Sequence, residues 1–307
     1  MSGPRLGVGI GLPQALPDAP LTPELASRHL EFARTVAVRA EETAYEGGWV
    51  AEQIVGTRGR LEPVVLLANI AAVTTRLRLG CSVFILGRRT PVTFAKQLAS
   101  LDVVSGGRLT VGLGLGGSDE HSPAFGAQPG RRAARFSEAV AVMDRLWRGE
   151  PVSLDGDFFR LDGVQIDAGP LQSPRPRLWL GGHAEGALRR AVRLADGWMG
   201  AGAATVEAFE RQLTGVRRLI EEEGRDPATF ATSKRVYVSV DDDAGRAHER
   251  AERAGLASSA VTGRPDEVIG RLGELIELGV DHLLLDPVGE HLLHVEALAP
   301  LAAVGES

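Results

Sequence analysis

Apolar positions along the chain fall into two alternating rhythms. Short runs rich in branched and leucine side chains read as strands at residues 6–12, 49–51, 77–85, 109–115, 177–182, 197–200, 235–240 and 282–286. Apolar residues spaced three and four apart read as helices at about 23–46, 63–74, 91–104, 132–147, 185–195, 205–223, 244–256, 265–278 and 290–301. The stripe Phe136, Ala139, Val140, Met143, Leu146 and Trp147 is the cleanest. Pro63 sits where an N1 proline opens a helix, and Gly106 and Gly107 sit where glycine closes one. The rhythm breaks at 149–176, which hold two glycine-centred turns and several prolines around short alternating runs. That segment reads as an inserted hairpin and loop, and 258–264 as loop.

Eight strands, each followed by a helix, imply a parallel sheet closed into a barrel. The expected fold is therefore α/β, a (β/α)8 TIM barrel with an inserted hairpin after the fourth helix. Residues 1–307 form one domain in this reading, because no Pro-, Gly- and Ser-rich linker divides them. An open doubly wound sheet is the alternative. The glycines Gly112, Gly114 and Gly117 match G-x-G-x-x-G, but two prolines follow before a helix can begin, which argues against a dinucleotide fingerprint.

Composition narrows the partners. The net charge of −6, with no long run of either sign, argues against nucleic acid. A single cysteine, Cys81, rules out an intramolecular disulfide and fits a reducing interior. No segment approaches the roughly 20 apolar residues of a membrane span, and no secretory signal is legible, so a cytoplasmic location is expected.

In a barrel of this kind the working groups lie at the C-terminal ends of strands. That rule selects Gln14, Glu52 and Gln53, 82–86, 114–121, 181–183, 200–202 and Asp286. Gly112, Gly114, Gly116 and Gly117 leave one strand exit bare, either for close packing or for a ligand. Gly181, Gly182 and His183 feed a helix N-terminus, where free N–H groups suit a phosphate. Gly200, Ala201 and Gly202 repeat the arrangement, and tight strand-to-helix turns explain both equally well. Asp119, Glu120 and His121 form an acid-base cluster with His121 as a catalytic candidate, and solvated loop polarity is the alternative reading. His291 and His294 match no zinc motif, and no metal is expected.

FAKQLASLDVVSGGRLTVGLG (94–114), PRPRLWLGG (174–182) and ALRRAVRLADGW (187–198) resemble the bacterial luciferase-like flavin monooxygenase family, especially its coenzyme F420-dependent members. The resemblance implies a barrel binding a reduced deazaflavin across its C-terminal mouth, in an oxidoreductase that moves a hydride between coenzyme F420 and an organic substrate. The alternatives are a monooxygenase using O2 and FMN reduced by a separate flavin reductase, or a non-catalytic flavin-binding member of the fold. It implies a homodimer through the second and third helices, and a small-molecule substrate. Carried over, Ser82 and Val83 match the site of a cis peptide held against the cofactor ring. Gly181, Gly182 and His183 match backbone that holds the cofactor phosphate, and Gly200 and Ala201 a neighbouring contact. The polyglutamate tail of F420 would favour Arg88, Arg89 or Arg264 at the rim. Two departures stand out. Gln53 occupies the place of a histidine that is often catalytic in F420-dependent relatives, and an amide cannot take a proton near neutral pH. Gly117 stands where some sugar-phosphate dehydrogenases of the family carry a glutamate.

Overall fold

The computed structural model describes residues 7–16, 22–55, 59–117, 121–127, 130–201 and 205–304. Eight strands make the barrel wall: β1 (Gly7–Gly11), β2 (Gly47–Val50), β3 (Arg78–Cys81), β4 (Leu109–Gly114), β5 (Arg177–Gly181), β6 (Gly197–Gly200), β7 (Ala231–Val240) and β8 (His282–Pro287). All neighbours are parallel, β8 pairs with β1, and the ring closes where Ala231 of β7 lies beside Gly197 of β6. The helices α1 (Pro23–Glu42), α2 (Pro63–Ala71), α3 (Pro91–Val104), α4 (Arg132–Trp147), α5 (Glu185–Leu194), α6 (Val206–Glu222), α7 (Ala244–Arg253) and α8 (Pro265–Glu277) form the outer layer. Two short helices, α9 (His291–Ala297) and α10 (Ala299–Val304), finish the chain. Proline at the helix start opens α1, α2, α3 and α8. Side-chain caps add to this: Thr22 accepts the Leu25 N–H at 3.2 Å, and Glu62 the Val65 N–H at 2.9 Å.

Period-two alternation sends one face of each strand to the helices and the other into the barrel. The outward face carries the large core, with Ile10, Leu79, Val111, Leu178, Val238 and Leu283 all buried. The inward face is unusual for its glycines. Inside the ring, a separate small cluster of Trp49, Trp179, Met199 and Leu284 fills the space. The two indoles stack with centroids 5.6 Å apart. A Cβ at Gly80 would lie 2.3 Å from the Trp49 ring, and one at Gly9 2.3 Å from its Nε1, so both positions must be bare.

The hairpin after α4 is present, with Val152–Asp155 antiparallel to Arg160–Val164. Four expectations need correction. The third strand ends at Cys81 rather than 85, because the chain turns at Ser82–Val83 before Phe84–Ile85 pairs with β4. β7 starts at Ala231, four residues early; its polar start is satisfied, since Thr232 N–H and hydroxyl both reach the Asp281 carboxylate. Ala260–Gly263, read as loop, is a strand that pairs with the far half of β7. The last helix divides at Leu298, just before Ala299 and Pro300, where proline disfavours continuation.

Candidate active site

The site begins at the end of β3. Ser82 and Val83 are joined by a cis peptide bond. The Val83 side chain lies over two glycines: a Cβ at Gly114 would sit 2.5 Å from its Cγ2, and one at Gly181 3.2 Å from its Cγ1. The bare exit of β4 is thus explained in part by the chain itself.

Above this turn opens a cavity of about 480 Å³, walled by Glu52, Gln53, Ser82, Val83, Arg235 and Tyr237 among others. Glu52 follows β2 and its side chain is wholly buried. One oxygen accepts the Ile85 N–H at 2.5 Å; the other pairs with Arg89, which also reaches Glu62 at 2.8 Å. Burial pushes the Glu52 carboxyl above the usual carboxylate range, against the opposing pull of Arg89 and the Ile85 amide. This carboxylate therefore ties the strand-three turn to β2. Across the mouth, Arg235 pairs with Asp286, its Nη1 lies 3.4 Å from the Ser82 carbonyl, and its guanidinium stands 5.0 Å from the Tyr237 ring centre.

The two glycine-rich strand exits turn out to differ. At α5 the N-cap residue is Ala184, which offers no side-chain cap; the Ala187 N–H turns back to the Ala184 carbonyl at 2.7 Å, and the Glu185 and Gly186 N–H groups stay open beside Gly181, Gly182 and His183. At α6 the hydroxyl of Thr205 accepts the Ala208 N–H at 3.2 Å. Gly200 is bare for packing reasons, since a Cβ there would meet the Phe209 ring at 2.5 Å. The Ala201 carbonyl accepts from the buried Lys234 ammonium. Burial lowers the Lys234 pKa to about 8.

Of the residues singled out from sequence, Gln53, Ser82 and Val83 come together at the cavity. Gly181, Gly182 and His183 gather at the open α5 terminus, while Gly202 lies outside the described residues. His121 is exposed and does not line the cavity, and Asp119 and Glu120 lie outside the described residues. Arg89 is engaged by Glu52 and Glu62, and Arg264 sits at the start of α8 near Asp266 and Glu267. Among the described residues no cluster of metal-ligating side chains occurs. His294 is buried, its Nε2 accepting the Val240 N–H at 3.1 Å.

Arg235 and Tyr237 were not anticipated. β7 is ten residues long and passes the mouth at mid-length, so a rule that searches strand ends skips them. Their signal was present as alternation, with polar 235 and 237 interleaved with buried Val236 and Val238.

Comparison with known proteins places this geometry. Residues 7–259 match the model of the luciferase-like monooxygenase family. A phthiodiolone/phenolphthiodiolone dimycocerosates ketoreductase of Mycobacterium tuberculosis is 28% identical over 293 residues, 90% of this chain and 76% of the relative. An F420-dependent secondary alcohol dehydrogenase, solved with an F420-acetone adduct, superposes with a TM-score of 0.85 at 18% identity, covering 99% of this chain and 100% of that one. Monooxygenase RslO1 from Streptomyces bottropensis superposes with a TM-score of 0.83 at 25% identity, covering 96% and 99%. The chain therefore belongs to the luciferase-like monooxygenase family, an oxidoreductase family built on the closed (β/α)8 barrel.

Proposed function

We propose that the protein transfers a hydride between coenzyme F420 and an organic carbonyl or alcohol held above Ser82–Val83. One observation carries this reading. The cavity presents hydrogen-bond donors from Gln53, Arg235 and Tyr237, whereas Glu52, the one carboxylate among the described lining residues, is already bound by Arg89 and Ile85. Such a lining suits an oxygen that gains charge and then a proton. It suits a general-base mechanism poorly. The similarity to a ketoreductase and to an F420-dependent alcohol dehydrogenase points the same way.

The open α5 terminus with Gly181, Gly182 and His183 fits the phosphate of a deazaflavin or flavin, and Val83 offers an apolar surface to its ring. A reduced deazaflavin bound there supplies the hydride. The protein's own part is orientation and proton delivery. Arg235 and Gln53 position the substrate oxygen, and the Tyr237 hydroxyl gives it the proton.

A second reading, an FMN-dependent monooxygenase served by a reductase, is favoured by the similarity to RslO1. Titrating the purified protein with F420 and with FMN decides between them. Tight binding of F420, with ketone-dependent oxidation of its reduced form, supports the first. Binding of FMN alone supports the second, and binding of neither removes both. A homodimer through α2 and α3 belongs to the same proposal, because Val65, Val103 and Val104 are exposed there. A monomeric mass by light scattering at micromolar concentration would refute it.

A further inference from the structure

Six arginines stand around or near the mouth, and they differ in how they are spent. Arg89 and Arg235 hold Glu52 and Asp286, Arg132 donates to the Gly117 carbonyl, and Arg135 donates to the Gly87 carbonyl. Arg60 and Arg88 line the cavity, and neither has an ion-pair or hydrogen-bond partner among the described residues. The Arg60 Nε is buried and donates to nothing, and Arg88 makes only a face contact with the Phe125 ring, 5.7 Å from its centre. A buried donor left without an acceptor is uncommon and calls for a partner.

Adding the lining and its ion-pair partners, Glu52 cancels Arg89 and Asp286 cancels Arg235. Glu62 also reaches Arg89 from outside the lining, so among the described residues that line the cavity the cationic groups without a carboxylate partner are Arg60 and Arg88. Val55, Val83 and Ile85 supply apolar wall between. A guanidinium with an unfilled fork matches a carboxylate better than any neutral group.

We propose that Arg60 and Arg88 recognise a carboxylate on the substrate, so that the enzyme acts on an oxo acid or hydroxy acid with an apolar body. This rests on the reading that the cavity takes the substrate. The cofactor's own acidic tail is the competing occupant, and barrel order argues against it. The tail follows the phosphate, whose candidate site lies after β5, whereas Arg60 follows β2 and Arg88 follows β3. In a ring of eight, β5 stands across from β1, with β2 three places away and β3 two, so the separation is widest for Arg60.

The test uses hexanoate, octanoate and decanoate against their methyl esters, with binding read by calorimetry with and without saturating F420. Wild type should bind at least one acid tenfold or more tighter than its ester, with a preference that shrinks as salt rises. In Arg60→Gln/Arg88→Gln the preference should vanish, while F420 and FMN affinities stay within twofold. Arg60→Lys/Arg88→Lys should keep most of it. If the double glutamine variant melts early by circular dichroism, the single variants are read, each expected to lose part of the preference. Absence of acid binding to wild type, equal binding of acid and ester, or a preference that survives the double variant would each overturn the proposal. So would a loss confined to F420, because the arginines would then serve the tail. Failure to bind either cofactor, with the acid preference intact, would sink the hydride-transfer reading and leave the carboxylate site standing.

Discussion

The two ends of the barrel both hold cavities, and the larger one is at the end where chemistry is not expected. The N-terminal cavity measures about 660 Å³, against about 480 Å³ at the C-terminal mouth. Its charges answer one another. Arg175 pairs with Asp144 and Asp196, Glu46 with His282, and Asp281 with the Thr232 hydroxyl and N–H. Glu41 nearby accepts three successive N–H groups, from Thr75, Arg76 and Leu77. Arg177 lines the cavity too, but it is exposed. At the mouth, in contrast, two half-buried arginines face the space unpartnered. Volume fails to identify a site here, and so does one orphan atom, for the His282 Nε2 of the lower cavity is also buried without a partner. What marks the mouth among the described residues is half-buried cationic charge with no carboxylate to answer it. The bottom of a barrel conserves its polar groups for stability, and the top spends them on ligands.

The comparison is broken most forcefully at Glu52. Although it belongs to the mouth, its role is structural, and Glu52→Ala leaves Arg89 without its buried partner. A loss of about 3–5 kcal/mol is expected, read as the urea midpoint. A loss under about 1 kcal/mol would mean that Glu52 does not hold the turn. Acid separates the outer shell of the mouth end from the bottom. Burial holds His294 at about 4, against 6.5 when free, so the unfolded chain takes up the proton that the folded one refuses. Stability should be full above pH 6.5 and fall between 6.5 and 4, by about 3 kcal/mol at the lower limit. Burial holds His291 at about 4 too and adds a comparable share in the same window, so His294→Gln, whose amide oxygen can still accept the Val240 N–H, should remove about half of the combined slope. Glu41 works in a lower window: burial opposes its charge, but the three N–H groups win and depress its pKa. Its contribution is present above the free carboxylate value and lost only below it, so Glu41→Gln should leave the 6.5-to-4 slope intact.

Two kinetic predictions are smaller. Tyr237→Phe should lower turnover about a hundredfold or more if its hydroxyl delivers the proton, equivalent to about 2.7 kcal/mol. An unchanged rate assigns proton delivery elsewhere. Gln53→Ala should cost about tenfold, the worth of a neutral hydrogen bond, and leave the shape of the pH profile alone. A thousandfold loss would show that Gln53 does more than position.

The barrel was legible because each strand and helix announces its own period, and Pro63, Gly106 and Gly107 mark the boundaries where backbone chemistry forces them. Gln53, Ser82 and Val83 were legible because they lie at strand ends. What escaped was anything set by long-range pairing. Ala260–Gly263 is too short to show alternation and becomes a strand only beside β7. The difference between the α5 and α6 termini depends on a cap contributed by Thr205 and none by Ala184, which matters only once helix starts are fixed. Likewise, Arg60 and Arg88 look like any other arginines until the carboxylates around them have been assigned to others.

The packed interior of the ring constrains how this chain can diverge. Trp49 fits only because Gly9 and Gly80 lack side chains, and each of those glycines is barred from gaining one while the indole remains. A lineage cannot cross that barrier one substitution at a time, since alanine at Gly80 clashes and a smaller residue at Trp49 opens a void. The three positions should therefore vary as a set. Descendants would be expected either to keep tryptophan with both glycines or to carry a smaller residue at 49 beside larger ones at 9 and 80.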